Sequence, residues 1–196
     1  LPNGSERAAI LEHEPGDLTC IVEAGLRLSE LQASVAAAGQ RFSLDPPGDP
    51  TLGDCLLDDL SGPLRHRFGT MRDLVIGVTV QLPDGTRASS GGRVVKNVAG
   101  YDLGKLFCGS RGRLGSVERV ALRLHPLPAA SRTVVLDASR WRELHRSQVV
   151  PSAVDLRDGE LHVLIEGSER AVAAALRELD GEERDDWGAI RVLQAG

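Results

Sequence analysis

The 196-residue chain predicts an α+β fold built on antiparallel sheet, and three features carry that prediction. Residues Leu74 to Leu82 alternate in the period of a half-buried strand. The turn Pro83-Asp84-Gly85 follows directly and is far too short for a parallel crossover. Beyond Pro128, strand-like and helix-like segments alternate over about 50 residues, the order of a small two-layer unit.

Taken in order, Leu18 to Glu23 reads as a strand closed by Ala24-Gly25. Leu28, Leu31, Val35 and Ala38 fall at helical spacing, and Gly39 stands where a left-handed C-terminal cap belongs. Asp45 to Pro50, with three prolines and Gly48, reads as a loop. Thr51 to Leu60 is an acidic helical segment stopped by Ser61-Gly62-Pro63. In the strand 74–82, Leu74, Ile76, Val78, Val80 and Leu82 point to one face, and Val75, Gly77, Thr79 and Gln81 to the other. Thr86 to Ser90 returns as the second arm of a hairpin. A short helix at Tyr101 to Phe107 precedes a strand at Val117 to Leu124, with Val120, Leu122 and Leu124 inward and Arg119 and Arg123 outward. The prolines of His125-Pro126-Leu127-Pro128 make a stiff exit, which places a domain boundary near residue 129. A strand at Thr133 to Leu136, a helix at Arg140 to Gln148, a strand at Leu161 to Glu166 and an amphipathic helix at Glu169 to Leu179 follow.

The net charge of −5 conceals unlike parts: −8 over residues 1–60, +7 over 61–130 and −4 over 131–196. The basic middle suits either a phosphate-bearing partner or internal pairing with the acidic flanks. Its only aromatics are Phe68, Tyr101 and Phe107, with no recognisable binding motif around them, which argues against nucleic acid. Cys20, Cys55 and Cys108 match neither a disulfide framework nor a zinc spacing and read as reduced thiols. No apolar run approaches the roughly 18 residues of a membrane span, and no export signal opens the chain. The first residue is Leu1, which fits a fragment or a processed chain.

Two runs concentrate chemistry. Gly109-Ser110-Arg111-Gly112-Arg113-Leu114-Gly115 frees backbone amides for an anion and adds two cations, or is a glycine-rich helix-to-strand connection. A helix precedes it and a strand follows, the reverse of a Rossmann fingerprint. Lys96-Asn97-Val98-Ala99-Gly100-Tyr101-Asp102 gathers a cation, an amide, a phenol and a carboxylate, although Asn97 or Asp102 also suits a helix cap. His66, between Arg65 and Arg67, is the histidine best placed for proton transfer, without an identifiable partner.

The run from Gly91 to Leu103, with Leu106, Gly109-Ser110, Gly112, Leu114-Gly115 and the strand ending Leu124-His125-Pro126-Leu127-Pro128, closely resembles the FAD-linked oxidase family. Val22-Glu23-Ala24-Gly25, Gly39-Gln40, Asp45-Pro46-Pro47 and Leu60-Ser61-Gly62-Pro63 through Gly69, Arg72-Asp73 and Gly77 extend the likeness. It covers residues 15 to 128 in one register and is looser to about 180. The family shares the fold of vanillyl-alcohol oxidase and p-cresol methylhydroxylase, and the variant looks most like its glycolate oxidase type.

The resemblance implies the second subdomain of an FAD-binding domain, an antiparallel sheet with flanking helices, over residues 1–128, and part of an α+β cap domain over 129–196. It implies FAD as cofactor, with Thr51, Gly53, Gly62 and Gly69 bordering flavin and pyrophosphate and Gly112, Gly115 and Val117 approaching the adenosine half. Lys96, Asn97, Tyr101 and Asp102 would be architectural to that site, and no catalytic residue is assigned. A small 2-hydroxy acid is the implied substrate, and sister subunits of a hetero-oligomeric oxidase are the implied partners. A cytoplasmic location follows, with any membrane reached through those partners. The family's first subdomain, with its pyrophosphate loop, would precede Leu18, where seventeen residues stand. Asp54, Asp58 and Asp59 occupy positions that are small and neutral in the family; they either repel a diphosphate or face solvent, with Asp54 capping a helix. The alternative function is a cofactor-less structural or interaction subunit of a flavin oxidase complex.

Overall fold

The computed structural model describes residues 8–91, 101–184 and 187. They fall into two compact units, one within Leu1–Ser61 and Thr70–Leu127, the other within Gly62–Gly69 and Pro128–Gly196.

The first unit contains β1 (Ile10–Glu14), β2 (Thr19–Glu23), α1 (Leu28–Ala36), β3 (Gln40–Arg41) and α2 (Leu52–Leu57). After the segment that holds α3 (Arg65–Phe68) and packs with the other unit, it resumes with α4 (Met71–Leu74), β4 (Val75–Gln81), β5 (Arg87–Gly91), α5 (Leu103–Phe107), β6 (Ser116–Arg123) and β7 (His125–Pro126). Five strands pair antiparallel in the order β1-β2-β6-β4-β5, so β6 inserts between β2 and β4. Alternation along the central strands puts Cys20 and Val22, Val78 and Val80, and Val120 and Leu122 on the covered face. Leu31, Val35, Leu52, Leu56, Met71, Leu74 and Phe107 pack onto them from the helices. Each fully buried large side chain there contributes about 1.5–3 kcal/mol. At the end of α1, Gly39 takes a positive φ of 69°, as its position after the last apolar residue predicts.

The strand expected at Leu74 to Leu82 is corrected at its start. Leu74 ends the helical turn α4, whose N-cap Thr70 and third residue Asp73 form a capping box. A register shift between Val75 and Gly77 against β6 then resets the alternation. Val75 therefore joins Val78 and Val80 in the core, and Ile76, expected inside, is half-buried outside it.

The second unit holds α3, β8 (Ala130–Asp137), a 3-10 turn (Ala138–Arg140), α6 (Trp141–Arg146), β9 (Ala153–Arg157), β10 (Glu160–Gly167), α7 (Glu169–Leu179) and β11 (Glu182–Arg184). Its antiparallel sheet runs β11-β8-β10-β9. Both faces of β10 are covered. Leu161, Val163 and Ile165 pack with Leu144, Val172, Ala175 and Leu179, and Leu164 packs with Ala153 and Leu64. That two-sided burial is why Leu161 to Ile165 is nearly continuously apolar. Strands β9 and β11 escape the sequence reading because one carries Asp155 at its centre and the other is Glu182-Glu183-Arg184. Among the described residues, no helix is long and apolar enough to cross a membrane.

Candidate functional site

Helix α2 is set by its first turn. Thr51 Oγ1 accepts from the Asp54 amide at 3.1 Å and donates to Asp54 Oδ2 at 2.7 Å, and the Thr51 amide donates to the same carboxylate at 3.2 Å. Asp54 is thus a capping residue on the exposed side of the helix. The Leu52 and Gly53 amides donate to Leu26 O at 2.9 Å and Ala24 O at 2.7 Å, which bolts the turn onto the end of β2. Gly53 is closely approached, because a Cβ there would stand 3.1 Å from Ala24 O and 3.2 Å from Ala24 Cβ and would need that strand end to give by a few tenths of an ångström.

The glycine loop docks on the other end of α2. The Gly109 amide donates to Leu56 O at 3.0 Å and the Arg111 amide to Leu57 O at 2.8 Å, satisfying carbonyls that a helix end leaves unpaired. Cys108 Sγ donates to Asp59 Oδ1 at 3.0 Å. The loop closes with the Gly115 amide donating to Gly112 O at 3.3 Å. Two of its three glycines differ in their surroundings. Gly115, at φ 140°, lies so close to the end of β4 that a Cβ would come within 2.2 Å of Gln81 O. Gly112, at φ 70°, is exposed with nothing within 4 Å of a Cβ. Val117 pairs with Val80, and the adjacent Glu118 carbonyl accepts from the Ala24 amide at 2.9 Å.

Thr51, Gly53, Gly115 and Val117 therefore gather at one end of the five-stranded sheet, where β2 and β4 finish and β6 begins, with Gly112 beside them on the loop. Arg87 Nε meets Glu118 Oε2 at 2.7 Å at the same end, an exposed pair of little energetic weight. Gly62 and Gly69 belong to the second unit, where they bracket α3. Gly62 O accepts from the Arg65 amide at 3.1 Å, and Gly69 caps the helix at φ 83°.

The fit to a dinucleotide can be judged on these contacts. At Gly112 the open backbone, flanked by the exposed Arg111 and Arg113, suits an anionic group approached by main chain. At Gly53 and Gly115 the missing side chain is already used by the neighbouring strand, and the amides of Leu52, Gly53, Gly109 and Arg111 already have acceptors.

Of the second run, Lys96 and Asn97 lie outside the described residues. Asp102 is a helix cap, accepting from the Lys105 amide at 3.1 Å, and Tyr101 is 91% exposed. His66 sits on exposed α3 at an open hollow of about 460 Å³ with Trp141, Val154, Leu156 and Leu161. Burial pushes the Cys20 and Cys55 thiols up to about 12. Cys108 also rises to about 12, through burial and then the hydrogen bond to Asp59. Among the described residues no three of His, Cys, Asp and Glu come together as a metal-binding group. The residues that sequence reasoning missed are Asp59 and Cys108 as a pair; 49 positions separate them and no spacing rule joins them.

Residues 5–91 match the FAD binding domain family. Glycolate oxidase subunit GlcE of Escherichia coli is 33% identical over 94% of this chain and 56% of its own length. Cytochrome D-lactate dehydrogenase 1 of Saccharomyces cerevisiae mitochondria is 32% identical over 82% of this chain and 28% of its own. A solved structure of alkyldihydroxyacetonephosphate synthase superposes with a TM-score of 0.75 at 17% identity, covering 94% of this chain and 44% of that one, which establishes a shared fold. The chain thus spans about half the length of GlcE and less of the dehydrogenase.

Proposed function

We propose that the chain, which is similar to glycolate oxidase subunit GlcE and to cytochrome D-lactate dehydrogenase and whose residues 5–91 match the FAD binding domain family, binds FAD as one component of a 2-hydroxy-acid oxidase or dehydrogenase. The observation that carries this reading is the likeness to GlcE along nearly the whole chain. The geometry supports it at Gly112, where open main chain and the exposed residues Arg111 and Arg113, the latter donating Nε–H to Ser110 O at 3.3 Å, suit a phosphate or the adenosine half of the cofactor. Gly115 and Val117 shape the sheet end next to it. The roles of Thr51, Gly53, Gly62 and Gly69 beside flavin and pyrophosphate rest on the family resemblance alone. When bound, the flavin supplies the two-electron acceptor for oxidation of a 2-hydroxy acid to a 2-oxo acid. What this chain's own residues do is hold one end of the cofactor and fix the loop against α2. Glycolate or D-lactate is the proposed substrate, and sister subunits complete the enzyme.

A cofactor-less structural subunit is the second reading. It is favoured by the exposed carboxylates of Asp54, Asp58 and Asp59 on and just beyond α2 and by amides already engaged there. Purified full-length native protein separates the two. Visible flavin absorbance, or uptake of added FAD, supports the first reading. Protein that carries no flavin and takes up none supports the second. Stopped-flow bleaching of the flavin by glycolate, D-lactate and longer 2-hydroxy acids then identifies the substrate; no bleaching with any of them places catalysis in a sister subunit.

A further inference from the structure

We propose that Cys108 and Asp59 are positioning residues, a thiol–carboxylate clasp that holds the glycine loop 109–115 to the end of α2 and so sets its shape toward the cofactor. The bearing on FAD rests on the functional reading above; the clasp itself does not.

The geometry is a three-point attachment. The Cys108 thiol donates to Asp59 Oδ1 at 3.0 Å, the ionised carboxylate being able only to accept. One residue on, the Gly109 amide reaches Leu56 O at 3.0 Å, and that carbonyl also accepts from the Asp59 amide at 3.2 Å. The third point is the Arg111 amide on Leu57 O at 2.8 Å. Both sides hold left-handed backbone to meet in this way: Asp59 at φ 50°, Gly109 at 74° and Arg111 at 53°. Aspartate and glycine tolerate that region, whereas Arg111 is held there against its preference, so the loop needs outside contacts to keep its form. A Cβ on Gly109 would stand 3.7 Å from Asp59 Cβ, so the glycine lies flat against the aspartate. The thiol stays protonated through neutral pH, so the donor is always present. Asp59, at a position where a charge near a diphosphate looks unfavourable, thereby has a partner and a task.

Cys108 also packs at the margin of the core, so packing must be separated from hydrogen bonding. Three variants of the whole chain do this. Cys108→Val keeps apolar bulk and removes the donor, Cys108→Ser keeps a donor, and Asp59→Gly keeps the left-handed backbone and removes the acceptor. Hydrogen exchange of the Gly109 and Arg111 amides without FAD is the first readout, with the Val120 amide in β6 as an internal reference for global stability. Cys108→Val and Asp59→Gly should speed both loop amides about five-fold relative to that reference, the effect of one net hydrogen bond. Cys108→Ser should stay near wild type. The FAD dissociation constant, from flavin titration, should follow the same ranking. Unchanged loop exchange in Cys108→Val, or faster exchange in Cys108→Ser than in Cys108→Val, overturns the clasp and leaves Cys108 a packing residue. Wild-type protein that takes up no FAD overturns the cofactor reading while the exchange result still decides the clasp.

Discussion

Around α2 and the glycine loop the first unit is fastened through the main chain, whereas the second unit holds α3, the end of α7 and β11 through guanidinium groups. In the first, Gly53 on Ala24 O, Ala24 on Glu118 O, Gly109 on Leu56 O and Arg111 on Leu57 O are all backbone pairs. In the second, Arg140 grips Glu143 together with Leu179 O and Asp180 O, and Arg67 on α3 reaches Ser152 Oγ and Glu166 O. Arg184 bridges Glu160 and Glu182. Arg140 also holds the Glu143 carboxyl below the usual carboxylate range. The difference teaches where each unit tolerates change. Main-chain pairing survives most side-chain substitutions but fails where a glycine makes the approach possible. Guanidinium pairing fails with the arginine and weakens with salt.

The sharpest test of this contrast is at Gly112 and Gly115 of the loop. Gly115→Ala forces a Cβ onto Gln81 O and should cost the first unit more than about 3 kcal/mol, enough to abolish a cooperative transition in a marginal domain. Gly112→Ala meets only the left-handed penalty, about 1 kcal/mol. Denaturant midpoints of the two variants measure this, and equal midpoints would show that the close approach at Gly115 is not what demands glycine.

Alkaline titration gives the next effect. Cys20 and Cys55 are buried in the first unit, with thiols at about 12 against an ordinary 9.0. Above pH 9 the unfolded chain releases these protons and the folded chain keeps them. The first unit should therefore lose roughly 1 kcal/mol per thiol for each pH unit between 9 and 12. Trp141 and Trp187 both lie in the second unit, so tryptophan emission follows that unit and hydrogen exchange of β6 amides follows the other. Emission changing before β6 loses protection would contradict the expected order.

The smallest effect tests the guanidinium side. Arg140→Met should lower the second unit's urea midpoint by the equivalent of about 1.5 kcal/mol, leaving Leu179 O and Asp180 O without this donor. Tryptophan emission reads it, and a midpoint unmoved by the substitution would mean that the arginine is ornamental.

Much of this was legible in sequence wherever local rules act alone. Val78, Val80, Val120 and Leu122 declare their face by period two. Gly39 ends α1, and Pro83-Asp84-Gly85 turns the hairpin, with the Gly85 amide on Leu82 O at 2.9 Å. Asp54 faces solvent and takes part in capping α2, one of the two alternatives its sequence leaves open. The start of β4 departs from the expected alternation because a bulge against β6 shifts it, and nothing in residues 74–77 records a partner strand's register. Strand β11 is not legible in the sequence because its charged residues have no period to show; it exists through pairing with β8.

The fold class, the covered face of the central strands and the likeness to FAD-linked oxidases are legible in the sequence alone, since turn chemistry, side-chain period and motif order are properties of neighbouring residues. Tertiary structure alone decided that residues 62–69 pack with the second unit, that Gly53 and Gly115 serve close backbone approach while Gly112 stays open, and that Asp59 meets Cys108. The physical reason is common to all three. Each depends on which distant main-chain segment arrives alongside, and a residue's chemistry says what it tolerates there without saying what comes.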